Sequence, residues 1–375
     1  MTMKVRLQME RHYYLDLAQS GLKMPIGMDL VLHEHDDPET LLRDGVRLGQ
    51  VMAQAASRYR TPLAFPMMNL ELEQAHLLAL LEVAAEDPAR HRFADEDWED
   101  LQKKLEERIE EPLSEPMQAL CGALTYLQAT TALVPVGMCI GPFSLMTKLL
   151  ADPITPIAMA GMGMAAAEDK GIARVEGALE LAVRVIERYI ESQCEAGAKA
   201  IVVCEPAANN VYLSPKQIER GSDIFERFVM QYLRRIKYVM MDHDVDLILH
   251  DCGELTDYIV QDFARLDPAI LSLGSSRKLW EDAQLLPKTI VLYGNLPSKR
   301  FYSDSEITQA QVEAQGAELV ARMQQARHPF ILGSECDVLH VAGCEETIRA
   351  KAMAIVGCCG GHVGGVEEVV AAASS

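Results

Sequence analysis

The sequence predicts an α/β protein, a single (β/α)8 TIM barrel with an N-terminal helical extension. Three observations carry that expectation. Short apolar runs alternate with longer helical patterns along most of the chain, the order that builds a parallel sheet. The runs number eight, which favours a closed barrel over an open doubly wound sheet. No Gly-rich linker divides them, and neither G-x-G-x-x-G nor a Walker phosphate loop follows any run, so the common nucleotide-binding loops are absent.

In chain order the expected strands lie in "PIGMDLVLHE", the weakest of the set, then "TPLAFPMM", "LVPVGMCIG", "KAIVVCEP", "DLILHDCG", "AILSLGS", "TIVLYGNL" and "PFILGSEC". Most run into a turn containing Gly, Pro or Asn. Segments such as "ARVEGALELAVRVIERYIESQCEAGA" and "SDIFERFVMQYLRRIKYVMMDHD" repeat apolar residues at spacings of three and four, the mark of amphipathic helices. Residues 1–355 are expected to form one barrel domain. Within it, about residues 86–118, acids concentrate in a helical pattern without an apolar stripe, which reads as a solvated insertion. Residues 356–375, ending in "GGVEEVVAAASS", read as a flexible C-terminal tail.

Composition narrows the function. With 49% hydrophobic and 24% charged residues and a mean hydropathy near zero, the chain can bury a sizeable core. A net charge of −20 repels phosphate backbones and anionic lipid, which argues against nucleic-acid and membrane partners. No run of 18 apolar residues occurs and the start "MTMKVRLQMERHYY" is charged, so a cytoplasmic location is expected. Nine cysteines, an odd count, argue for reduced thiols over a disulfide framework.

In a barrel, the turn after each strand opens on the C-terminal rim, where barrel enzymes build their sites. His250 and Cys252 follow "DLIL", and Cys336 follows "PFILGSE". Residues two apart in an extended chain point to the same side, so His250 and Cys252 can converge on one ion while Asp251 faces away. One imidazole and two thiolates are a set that zinc accepts, and catalytic zinc keeps three protein ligands with one position open. H-x-C alone is a weak motif; its pairing with Cys336 strengthens it. Glu205, at the end of "AIVVCEP", is the acid/base or metal-supporting candidate, and Cys204 is expected to pack as a small apolar residue. Met67, Met68, Asn69, Asn209, Asn210 and Tyr212 are candidates for lining the pocket. Asp251, Glu335 and Asp337 flank the ligands as orienting or solvated acids. Cys358, Cys359 and His362 imitate a second metal site but lack a fourth convergent ligand.

The runs "VPVGMCIGPFSLMTKLL", "AGAKAIVVCEPAANNVYLSP", "LILHDCGE", "LYGNL" and "ILGSECDV", spanning about residues 130–355, resemble the uroporphyrinogen decarboxylase superfamily, specifically its methyltransferase branch. That branch includes the methylcobamide:coenzyme M methyltransferases and other corrinoid-dependent enzymes. The resemblance implies zinc held by His250, Cys252 and Cys336, and methyl transfer between a small methyl donor or thiol acceptor and cobalt. The D-x-H-x-x-G pattern of corrinoid carriers is missing, so methylcobalamin or cob(I)alamin is expected on a separate corrinoid protein. The decarboxylase branch fits less well. The sequence lacks its arginine-rich N-terminal loop, and Asn69 in "FPMMNLELEQ" stands where a charged, pyrrole-binding aspartate would lie. Tetrapyrrole decarboxylation is one alternative, and a noncatalytic corrinoid- or tetrapyrrole-binding barrel the other.

Overall fold

Period-two alternation splits the strands' side chains into two buried layers, and this split builds the barrel. Val134, Val136 and Met138, then Ala200, Val202 and Cys204, then Ile248, Ile270, Val291, Tyr293 and Ile331 face inward as one cluster. Their neighbours Ile201, Val203, Leu247, Leu249, Leu271, Leu292 and Leu332 face outward into a larger cluster beneath the helices. The structure is a computed structural model that describes residues 11–94 and 96–359.

Its strands are β1 (Lys23–Met24), β2 (Leu63–Ala64), β3 (Val134–Ile140), β4 (Ala200–Cys204), β5 (Asp246–Asp251), β6 (Ile270–Leu273), β7 (Val291–Leu296) and β8 (Phe330–Ser334). All pair in parallel, in the order β1-β8-β7-β6-β5-β4-β3-β2. Among the described residues β1 and β2 share no ladder. Side chains close that seam: Thr61 Oγ1 donates to Met24 Sδ at 2.8 Å, and Met24, Ile26, Leu63 and Phe65 join the interior cluster.

Seven of the eight expected runs contain their strand. The exception is "PIGMDLVLHE", where Met28–Leu32 is a helix with all five residues buried and β1 lies just upstream. Pro25 ends β1, because it has no N–H to continue the ladder. A fully buried apolar run does not reveal by periodicity whether it is strand or helix.

The N-terminal extension is the helix Arg11–Gln19, which plugs the bottom of the barrel. Tyr14 is fully buried in the interior cluster and its hydroxyl donates to Asp246 at the start of β5 at 3.0 Å. The acidic insertion is not solvated all round. Its helix Trp98–Arg108 buries Leu105, and Ile109 beyond its end is buried too. Trp98 packs against Gly177 of the helix Lys170–Glu195, and Arg184 of that helix pairs with Glu106 at 2.6 Å. A stripe of one apolar residue per turn, Trp98, Leu101, Leu105 and Ile109, is present but narrow enough to be hidden among the acids. At the other end, the helix Glu345–Gly357 runs two residues past position 355, and Cys358 is buried. Residues 360–375, including His362, lie outside the described residues.

Because β2 is short, it pairs only with Val134 and Pro135 of β3, and the upper part of that edge is completed by side chains. Gln193 Oε1 accepts from Met138 N at 2.8 Å while its Nε2 donates to Met138 O at 3.1 Å, an amide standing in for a strand. Glu73 accepts from Ile140 N at 3.0 Å. Burial pushes the Glu73 carboxyl up to about 7, partly offset by that N–H. A carboxyl whose pKa is raised on folding binds protons more tightly in the native state, so its contribution falls as pH rises from the unfolded value toward 7. Glu73→Gln keeps the acceptor and removes the charge. It should therefore stabilise the protein by on the order of 1–3 kcal/mol at pH 8 and leave stability nearly unchanged at pH 4, as read by denaturant unfolding at the two pH values.

Candidate metal centre

The register of β5 builds the centre. Ile248 faces the barrel interior, so His250, two residues on, also faces inward at the rim, and Cys252 follows. His250 stands opposite Ser272 of β6 in the parallel ladder, and the histidine Nδ1 is 2.8 Å from Ser272 Oγ. Nε2 is buried without any partner. Cys336 arrives from the turn after β8, and its carbonyl accepts from Ser298 Oγ at 3.2 Å.

The ligand atoms of His250, Cys252 and Cys336 all lie within 4.8 Å of one another. The expected three ligands thus converge from two separated strand ends. A buried imidazole nitrogen with no hydrogen-bond partner is costly in itself, and an ion at this point would satisfy it. One nitrogen and two sulfurs fit zinc. The hydrogen bond with Cys336, helped by His250, holds the Cys252 thiol well below the ordinary thiol range. The same contact pushes Cys336 well above the ordinary thiol range. A divalent cation there would bind both sulfurs as thiolates and displace the protons they carry.

The acids around the ligands are not solvated: Asp251, Glu335 and Asp337 are all buried. Each accepts a backbone N–H. Asp251 takes that of Gly253 at 2.7 Å, Glu335 that of Ser275 at 3.1 Å and Asp337 that of Met68 at 3.0 Å. The last two bonds tie the turn after β8 to the turns after β6 and β2. Burial raises Asp251 well above the usual carboxylate range and Asp337 to about 7. Lys299 is a cation that interacts with Cys252 and Cys336. Burial opposes its charge, but Cys252, Cys336 and Glu335 outweigh that and raise its pKa.

Glu205, the acid/base or metal-supporting candidate, is buried at the end of β4. Its two oxygens accept from Phe143 N at 3.2 Å and Ser144 N at 2.6 Å, capping the helix Pro142–Leu149, whose own N-cap is Gly141. A Cβ at Gly141 would stand 2.1 Å from the Glu205 carboxylate, which is why glycine is needed there. Burial raises this carboxyl to about 7. Asn69 is likewise engaged locally, accepting from Glu71 N at 3.0 Å. Asn209 accepts from Val211 N at 2.8 Å and packs against Gly253, steadying the loop after Cys252. Tyr212 meets the Phe143 ring edge-on at 6.1 Å. Met67 is half-buried, and Met68 lies beside the ligands, its Sδ 3.6 Å from Cys336 Sγ. Cys204 packs inside the barrel as expected. Ser272 and Lys299 escaped the sequence reading. Ser272 is polar at an inward-facing position of an otherwise apolar strand, a signal that could have singled it out.

Eight parallel strands with a His, Cys, Cys set on the C-terminal rim define a (β/α)8 protein with three potential ligands for a catalytic-type metal. The chain belongs to the uroporphyrinogen decarboxylase family, whose model matches residues 83–350. That match includes all three candidate ligands and leaves Met68 outside. No curated protein matches the chain. Among solved structures it is similar to a methyltransferase from Methanosarcina mazei, with a TM-score of 0.59 and 16% identity over 92% of this chain and 98% of that one, a likeness of fold. It is also similar to the 3-keto-D-glucoside 4-epimerase from E. coli, with a TM-score of 0.37 and 15% identity over 71% of this chain and 96% of that one, a level that carries no argument.

Partners that orient a metal-bound histidine typically matter by 10–100-fold in affinity. Ser272→Ala should weaken zinc binding by about that factor, and His250→Ala should weaken it further, both measured by competition with a chromogenic chelator.

Proposed function

We propose that the protein is a zinc-dependent methyltransferase. It moves a methyl group between a small methyl donor or thiol acceptor and the cobalt of a separate corrinoid protein. The observation that carries this reading is the buried, unpartnered Nε2 of His250 facing two cysteine sulfurs at the barrel rim. Membership of the family and a fold shared with a protein described as a methyltransferase agree with it.

Ser272 fixes the imidazole so that Nε2 remains the metal-facing atom. Cys252 and Cys336 would complete the protein ligands, and their two negative charges would neutralise a divalent ion. Zinc in this setting favours the thiolate form of a bound thiol and can act as a Lewis acid on a methyl donor, while the corrinoid's cobalt gives or takes the methyl group. We assign Met67 and Tyr212 to the walls of the substrate site. Asn69, Asn209 and Glu205 hold the surrounding turns. The cobalt carrier is assigned to a partner because the sequence has no D-x-H-x-x-G motif. Among the described residues no helix is long and apolar enough to cross a membrane.

Cys336 lies on the rim and contributes little core. Cys336→Ala should therefore abolish zinc-dependent methyl exchange between free methylcobalamin or cob(I)alamin and a thiol or methyl donor, followed by corrinoid absorbance, while stability changes by less than about 1 kcal/mol. Zinc-independent loss of carbon dioxide from uroporphyrinogen, retained in that variant, would overturn the reading in favour of the decarboxylase.

A further inference from the structure

The turn that follows β2 crosses the barrel mouth and delivers Met68 to the ligands. Asn69 N donates to Met67 O at 3.0 Å, Glu71 N donates to Asn69 Oδ1 at 3.0 Å, and Met68 N donates to Asp337 Oδ2 at 3.0 Å. Asp337 is buried and is the residue next to Cys336, so the turn carrying Met68 is attached to the turn carrying a ligand. Its other oxygen, Oδ1, has no partner.

The side chain goes where those bonds aim it. Met68 Sδ lies 3.6 Å from Cys336 Sγ, and Met68 lines the same apolar cavity as His250, together with Met24, Phe65 and Tyr293. Two sulfurs bound to one tetrahedral zinc through ~2.3 Å bonds stand about 3.8 Å apart. The observed separation is close to that spacing. At this distance the Cys336 thiol donates to Met68 Sδ, so the thioether stands within reach of an ion held by that cysteine.

We infer that Met68 is the fourth ligand of the metal in the resting protein, a thioether holding the position that a substrate's sulfur must take. This rests on the zinc reading above. A thioether is neutral and a weaker donor than a thiolate, so an incoming thiol can replace it. With zinc bound, Met68 would yield its place to the entering sulfur, whose proton would pass to water. Met68 is itself a methyl thioether, the functional group that methylation of a thiol produces.

A site that occupies itself reduces the apparent affinity of its ligand by the fraction of time it is free. Met68→Leu keeps the volume and removes the sulfur, so the fold should be retained. In the zinc-loaded protein, X-ray absorption at the zinc edge should find three sulfurs and one nitrogen in the wild type, with one sulfur replaced by an oxygen in Met68→Leu. In the cobalt(II)-substituted protein, 2-mercaptoethanol titrated by the sulfur-to-cobalt absorption should bind the variant about three- to tenfold more tightly than the wild type. Two sulfurs in both proteins, with equal affinity for the thiol, would overturn the inference and leave the zinc reading standing. A wild-type protein that takes up no zinc would bring down both.

Discussion

The contact between His250 Nδ1 and Ser272 Oγ is the interaction on which the rest of the centre depends. It selects the ring nitrogen that faces the cysteines, and without it the buried imidazole could rotate or present the wrong tautomer. The contact is a product of strand register. β5 and β6 pair so that residues 250 and 272 are opposite, and a shift of one residue would send His250 into the layer beneath the helices. The chemistry at the rim is therefore anchored in the same hydrogen bonds that hold the barrel wall.

The barrel has the reverse dependence at its weak side. The short strands β1 and β2 leave a seam and an edge of β3 that no strand pairs, and polar side chains from neighbouring helices complete what backbone would otherwise supply. Gln193 imitates a strand residue and Glu73 accepts one ladder N–H, while across β3 and β4 Glu205 caps a helix whose N-cap residue is glycine. Each arrangement needs a buried polar group, and two of them need a carboxyl whose charge is disfavoured by burial. Local irregularity near the C-terminal ends of the strands thus carries a stability cost, which is tolerable in a fold whose remaining strands are continuously paired.

Much of this was legible in sequence because it is periodic or local. Alternating apolar runs gave seven strands, and the H-x-C spacing after "DLIL" with a cysteine after "PFILGSE" gave the three residues that converge at the rim. β1 was not legible, since two residues carry no periodicity and the apolar run beyond Pro25 is a buried helix. The stripe of Trp98, Leu101, Leu105 and Ile109 was masked by the acids around it. Ser272 and the cap made by Glu205 depend on which strands are neighbours, and Asp337's hold on Met68 joins residues far apart in the chain. Contacts of that kind are set by register and closure, which no local window contains.

Charge balance connects these pieces at the rim. Asp251, Glu335 and Asp337 could have made the centre strongly anionic, but burial disfavours ionisation of Asp251 and Asp337, and all three acids accept backbone N–H groups. Two thiolates and a divalent cation sum to zero, and a thioether at the fourth position leaves that sum unchanged. An incoming thiolate makes it −1, and this is the state in which a nearby ammonium matters. Lys299 acts on Cys252 and Cys336 from the turn after β7, so its charge favours the thiolate-loaded centre over the thioether-bound one. On the reading proposed here, Met68 sets the resting state and Lys299 biases the exchange toward substrate. The balance between them, more than the three ligands alone, would decide how readily the site opens.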